Sequence, residues 1–343
     1  MKPNAIVKNL IIIALYAFAA LFTVLAVSEL SIVSVVLAVV GFFLIWILSS
    51  FIHESFHFIF AKASGFKVVS FSFFIFRYDD TKQRKVSFGL TPYLGETGII
   101  PIKNCDFIAK YRFIVLGGII GSFLAATVFS LLYALLPSPV GFLFCAFPFS
   151  IAILLINAVP TLVETSDASV LFSMRFDEER EAMNGFLCVV YQLSQGKTYA
   201  EIDPKFFTVE GDRVPQNESY YLMNFKRALE IGDEDKAAEY AAALNRRGDI
   251  SIDSAIELFC YYIYIGDEEH INKYRYVLPS SYDMDEPCKA RAMLMNSRIS
   301  GDDAYYKVLY PTAVKLCKNA YLEGEGGYNL KMIEKMENGD AKF

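Results

Sequence analysis

Four stretches of this 343-residue chain run without a charged side chain: Leu10–Val27, Ile32–Ile52, Phe113–Leu136 and Val140–Val159. Apolar residues fill them all round rather than on one face. Each is long enough to cross a hydrocarbon core of about 30 Å at 1.5 Å per residue. The linkers Ser28–Ser31 and Pro137–Pro139 are short, so the pattern predicts two helical hairpins. Lys2 and Lys8 precede the first stretch, and Ala26-Val27-Ser28 resembles a signal-peptide cleavage site. Its apolar run is longer than a usual signal core, and the next stretch follows at once, so it reads as a span.

Between the second and third stretches the period changes. Phe66–Tyr78 and Val86–Leu90 alternate in places and are rich in aromatic and β-branched residues, with a polar turn at Tyr78–Gln83. Tyr93–Ile102 follows. A small antiparallel sheet over 66–102 is expected, with Gly95 and Gly98 in a turn or at a close approach. Its apolar character places it at the membrane interface; the plainer reading is a surface hairpin.

Beyond residue 176 the chain reads as amphipathic helices. The tags Ile231-Gly-Asp-Glu, Ile265-Gly-Asp-Glu, Ser300-Gly-Asp-Asp and Asn338-Gly-Asp recur at intervals of 34, 35 and 38 residues. That period resembles tetratricopeptide-like helix pairs. The fold expected is a polytopic α-helical membrane protein with about four transmembrane helices (10–27, 32–52, 113–136, 140–159) and a small membrane-associated β-hairpin or sheet. A C-terminal soluble all-α, repeat-like domain follows, so the domains are 1–175 and 177–343.

Charge follows the same division. Residues 1–175 carry 12 basic and 8 acidic side chains, net +4; residues 176–343 carry 20 and 30, net −10. Neither half has the basic stripe of a nucleic-acid binder. Nine lysines and arginines lie between Phe58 and Arg112 and none in the two short linkers. The excess of positive charge on cytoplasmic loops puts both termini and the 58–112 segment in the cytoplasm. The six cysteines are scattered without a Cys-x-x-Cys pair, which fits neither a thiolate zinc site nor a disulfide scaffold.

Two of the three histidines stand in His53-Glu54-Ser55-Phe56-His57, at the end of the second apolar stretch. On a helix, positions i and i+4 share a face, so both imidazoles reach one metal ion. The adjacent Glu54 is then placed as general base on a metal-bound water. A catalytic zinc takes three protein ligands and leaves one position open. His270 lies in the acidic half and reads as an ordinary surface residue, so the third ligand is expected to be an acid. The candidates, Glu164 and Asp167, follow Asn157 and Pro160, which interrupt the fourth stretch. Gly117, Gly118 and Gly121 in the third stretch read as helix-packing residues.

Together these residues resemble the site-2 protease family of intramembrane zinc metalloproteases. The resemblance covers about residues 30–175. It rests on His-Glu-x-x-His at the end of a span, the Gly95/Gly98 hairpin, the Gly117–Gly121 span, and the Asn157-x-x-Pro160…Asp167 element. The family's usual Asn-x-x-Pro-x-x-x-x-Asp-Gly is two residues longer here, and Ala168 replaces the last glycine. Ser166-Asp167-Ala168 resembles the Ser-Asp-Gly of longer members, which makes Asp167 the expected third ligand, with Glu164 as the alternative. No PDZ module is evident.

The resemblance implies one zinc ion per chain on His53, His57 and Asp167, with Glu54 passing protons. It implies a substrate or oxyanion role for Asn157, Pro160, Gly95 and Gly98. The expected substrate is a membrane-embedded peptide or single-span protein in a bacterial plasma membrane. Val86–Ile102 would hold it extended by edge pairing, and 177–343 would recruit a cytoplasmic partner. Two other readings remain: a non-proteolytic membrane scaffold with a vestigial metal site, and a metal transporter.

Overall fold

A computed structural model gives the protein's structure. It describes residues 5–27, 32–81, 85–89, 95–103, 106–137, 140–160, 166–209, 218–247, 250–278 and 286–338. The chain divides into two compact units, with the main break between Phe176 and Asp177.

In the first unit, α1 is Ala5–Val27 and α2 is Ile32–Ala63. With α3, Phe107–Leu135, they are three helices long and apolar enough to cross a membrane. Leu21, Leu25, Val33, Val36 and Phe123 are all more than half exposed, the reverse of a water-soluble bundle. The buried stripe of α2 is small or polar at Ser34, Ala38, Gly41, Ser49 and His53, with Ile45 as its one large apolar member. It recurs every three or four residues, which lets α3 approach closely.

Both inner helices outrun their apolar stretches. Helix α2 continues eleven residues past Ile52 because no glycine or proline intervenes; Gly65, at φ +79°, ends it. At 32 residues it is about 48 Å long. The His motif therefore sits inside the helix rather than at its end. Helix α3 starts at Phe107, where the Asp106 side chain caps the Ala109 N–H at 3.0 Å.

The segment expected as a fourth span is broken. Val140–Phe144 is a 3₁₀ helix, and α4 is only Pro148–Ala158. Pro148 lacks an N–H and starts a helix instead of continuing one. Eleven residues cover about 16 Å, half the hydrocarbon thickness. Helix α4 ends before Pro160, and α5, Asp167–Ser173, follows.

The sheet is antiparallel, in the order β3 (Val86–Phe88), β2 (Phe76–Asp79), β1 (Phe66–Phe73), β4 (Gly95–Pro101). Gly95 and Gly98 lie within β4, paired with Phe73 and Ser70, not in a turn. Phe51 of α2 meets Phe73 of β1 with ring centroids 4.9 Å apart, and Phe58 meets Phe71 at 6.0 Å. Those aromatic pairs seat the sheet on the helix that carries the His motif.

The second unit is all helix: α6 (Asp177–Ser194), α7 (Glu218–Ile231), α8 (Glu234–Asn245), α9 (Ile252–Ile265), α10 (Glu268–Tyr274), α11 (Pro287–Ile299), α12 (Asp303–Lys318) and α13 (Glu323–Glu337). The recurring tags are its corners. Gly232, Gly266 and Gly301 sit at φ +78°, +75° and +69°, each just past a helix end. The following aspartates send their N–H back to Ala228, Tyr262 and Ser297 at 2.9–3.1 Å, which is the Schellman closure. The same aspartates cap α8, α10 and α12. One Gly-Asp pair thus ends one helix and starts the next. In the fourth tag, Gly339 and Asp340 lie outside the described residues.

This unit also buries charge. Arg291 Nη2 lies 2.7 Å from Glu257 Oε2, both side chains 1% exposed. Lys226 Nζ lies 2.7 Å from Glu325 Oε1 and 3.7 Å from Glu257 Oε1. Burial alone would raise the Glu257 pKa; Arg291 and Lys226 beside it hold it below the usual range. His270, expected at the surface, is half-buried and stacks on Tyr262 at 4.3 Å.

Candidate metal centre

One turn of α2 places His53 and His57 on the same face, and α5 brings Asp167 to them across more than a hundred residues. The two Nε2 atoms are 3.3 Å apart. Asp167 Oδ2 lies 3.5 Å from His53 Nε2, and Oδ1 lies 3.3 Å from His57 Nε2. The ligand atoms of all three residues fall within 4.8 Å of one another. Glu54 Oε1 is 4.0 Å from His53 Nε2, so the carboxylate stands beside the group.

Neighbouring elements fix each side chain. His57 Nδ1 lies 2.9 Å from the Ile114 carbonyl. A carbonyl only accepts, so Nδ1 carries the proton and Nε2 presents its lone pair to the cluster. His53 Nδ1 lies 2.8 Å from Ser122 Oγ, about two turns further along α3. The Thr97 hydroxyl of β4 donates to Glu54 Oε2 at 2.6 Å. Asp167 is the first residue of α5, which Ser166 caps through the Ser169 N–H. The other end of α5 is tied to α3, because Arg112 Nη2 donates to the Met174 carbonyl at 2.6 Å.

Two glycines make room. A Cβ at Gly118 would stand 2.3 Å from both Asp167 Oδ2 and His57 Nε2; one at Gly95 would stand 2.5 Å from Glu54 Cγ. Both positions need a bare backbone. Gly117 and Gly121 instead face Phe56 and Phe60 of α2, which is helix packing as expected.

The donor set fits a cation. Two imidazole nitrogens and a carboxylate converge, and Asp167 Oδ2 is buried without a hydrogen-bond partner. Such an atom is costly to leave unmet. Two nitrogens and one carboxylate oxygen are also the ligand types of catalytic zinc sites. A second group, Asp253, Glu286 and Cys288, lies in the other unit. Asp253 is exposed and Glu286 is already held by Lys289 at 3.0 Å, so it lacks the convergence of unmet atoms seen here.

Not every residue singled out from the sequence reaches the centre. Asn157 donates to the Ile153 carbonyl of its own helix at 3.1 Å, its only side-chain hydrogen bond among the described residues. Pro160 acts as a helix terminator. Gly98 backs onto Ser70 of β1, not onto Glu54. Glu164, the alternative acid, lies outside the described residues. Thr97, Ser122, Gly118 and the Ile114 carbonyl were not evident from the sequence. The one available signal was that Thr97 shares a strand face with Gly95. No protein-family model matches the chain, and neither a curated protein nor a solved structure does.

Proposed function

We propose that the first unit is a zinc-dependent peptidase that hydrolyses a peptide bond in or near a membrane-embedded segment, as the resemblance to the site-2 protease family implies. The observation that carries this reading is the convergence of His53, His57 and Asp167 with Glu54 beside them, within helices apolar enough for a bilayer. When bound there, zinc supplies Lewis acidity that polarises a carbonyl and acidifies water. The protein's own part is proton handling and positioning. Glu54 takes a proton from the attacking water as its oxygen bonds to the carbonyl carbon. It returns that proton to the amine nitrogen as the C–N bond breaks. Thr97 holds Glu54 in place for both transfers.

A helical substrate has its amides already bonded, so it must unwind. Strand β4 is at the sheet edge beside Glu54 and offers an extended segment a pairing partner. The 3₁₀ helix adds about 10 Å at 2.0 Å per residue to the 16 Å of α4. We read the two as one discontinuous fourth crossing, its broken backbone facing the protein interior. Both termini are then cytoplasmic.

The test is Glu54→Gln in a cell co-expressing a single-span substrate. Zinc content should stay at one per chain while cleavage stops; His57→Ala should lose both. Continued cleavage by Glu54→Gln would remove Glu54 from the mechanism. A wild-type chain that cleaves nothing, with Glu54→Gln indistinguishable from it in every assay, would favour the non-proteolytic scaffold.

A further inference from the structure

The second unit holds a cavity of about 270 Å³ at the α7–α8 corner. Its floor is apolar, built from Leu229 of α7, Ala237 of α8, Tyr261 and Tyr264 of α9, and Met332 of α13. Ile265 at its mouth is 40% exposed. The volume suits one large apolar side chain with backbone on either side, at the lower end of ligand sites. A smaller cavity of about 10 Å³ shares Leu229, Tyr261, Tyr264 and Met332, and adds Met295 and Met336. Unbranched thioether side chains give that wall room to adapt.

The rim is acidic. Asp233, Glu234 and Asp235 open α8 at its edge. Asp233 is paired with Lys236, but Glu234 and Asp235 make no ion pair among the described residues and stand exposed. Among the described residues, Lys335 is the one basic residue lining the cavity. It is committed to the carbonyls of Leu229 and Glu230 at 2.8 and 3.1 Å, at the end of α7. An apolar floor under an uncompensated acidic rim selects an apolar group flanked by cations and repels an acidic peptide.

We propose that this cavity docks a peptide segment in which lysine or arginine flanks a large apolar side chain, from the juxtamembrane end of a membrane-anchored protein. Basic residues at the cytoplasmic edge of an apolar segment have that chemistry. Naming a membrane-anchored source rests on the peptidase reading; the peptide chemistry rests on the cavity alone.

The experiment uses the full chain carrying Glu54→Gln, in detergent micelles, so that binding is read without cleavage. The probe is a fluorescent synthetic dodecapeptide with one phenylalanine between pairs of lysines. Its counterparts carry glutamates for the lysines or serine for the phenylalanine. Saturable binding is expected for the first peptide, and at least about tenfold weaker binding for each counterpart. Glu234→Lys with Asp235→Lys should weaken the first peptide about tenfold. Ala238→Trp, at an exposed position on the cavity lining, should block it with unchanged melting. The proposal is overturned if the glutamate peptide binds equally well, or if neither variant changes binding. Binding that behaves as expected, beside a wild-type chain that cleaves no membrane substrate, would retain the cavity and sink the peptidase.

Discussion

The Thr97 hydroxyl donates to Glu54 Oε2 at 2.6 Å, joining the edge strand to the candidate base 43 residues before it. A hydrogen bond to a charged group contributes about 1.5–3 kcal/mol. Thr97→Val should therefore lower kcat of the proposed peptidase about tenfold or more, with KM and zinc content near wild type. Thr97→Ser keeps the hydroxyl and should restore most of the rate. A Val variant with unchanged kcat would show that Glu54 is held by other means.

Gly118 offers a sharper test of the metal centre. A methyl group there collides with Asp167 Oδ2 and His57 Nε2, both 2.3 Å from the added carbon. Gly118→Ala should therefore lose bound zinc, read by metal analysis of the purified chain. Gly121→Ala meets Phe56 Cβ only at 3.0 Å. It should keep its metal and lose a modest amount of stability.

In the second unit, Glu257 predicts a pH dependence. Its folded pKa is held below the unfolded value of about 4.3, because Arg291 and Lys226 outweigh the effect of burial. A depressed carboxylate stabilises the fold above its unfolded pKa. That contribution fades as pH falls from about 4.3 through the folded value. The melting temperature of this unit should therefore drop below pH 4.5. Glu257→Gln leaves Arg291 buried without its counter-charge, at a cost of about 3 kcal/mol at neutral pH. Its melting should vary less across the same acid range; a parallel curve would mean other carboxylates set the dependence.

The helix corners give a purely conformational prediction. Gly301 sits at φ +69° with nothing within 4 Å of an added Cβ. Gly301→Ala should cost about 1–2 kcal/mol from backbone strain alone, measured by chemical denaturation. Gly301→Asn, better tolerated in that region, should cost less.

Much of the chain's plan is written in local pattern. Uninterrupted apolar runs gave the three long helices, because a bilayer demands length and hydropathy and little else. The Gly-Asp tags marked the helix corners, because only glycine takes positive φ cheaply and aspartate caps the next helix. The i,i+4 spacing of His53 and His57 puts both imidazoles on one face of any helix that carries them. In the fourth stretch the pattern showed composition but not continuity: Val140–Val159 is apolar throughout, yet Pro148 divides it into a 3₁₀ turn and a short helix. For Gly95 and Gly98 the pattern left a turn or a close approach open, and the close approach is what the strand shows, Gly95 against Glu54 and Gly98 against Ser70.

The sequence by itself determined the apolar helices, the repeated corners, and a pair of imidazoles with a carboxylate beside them. Each of those depends on residues a few positions apart. The family resemblance pointed to Asp167, and the tertiary structure brings it to the two histidines. Only the tertiary structure decided that Thr97 and Ser122 contact the base and a ligand, and that Gly118 leaves space for them. Those relations link residues 40 to more than 100 positions apart. They arise from how α3, β4 and α5 pack on α2, which no local period encodes.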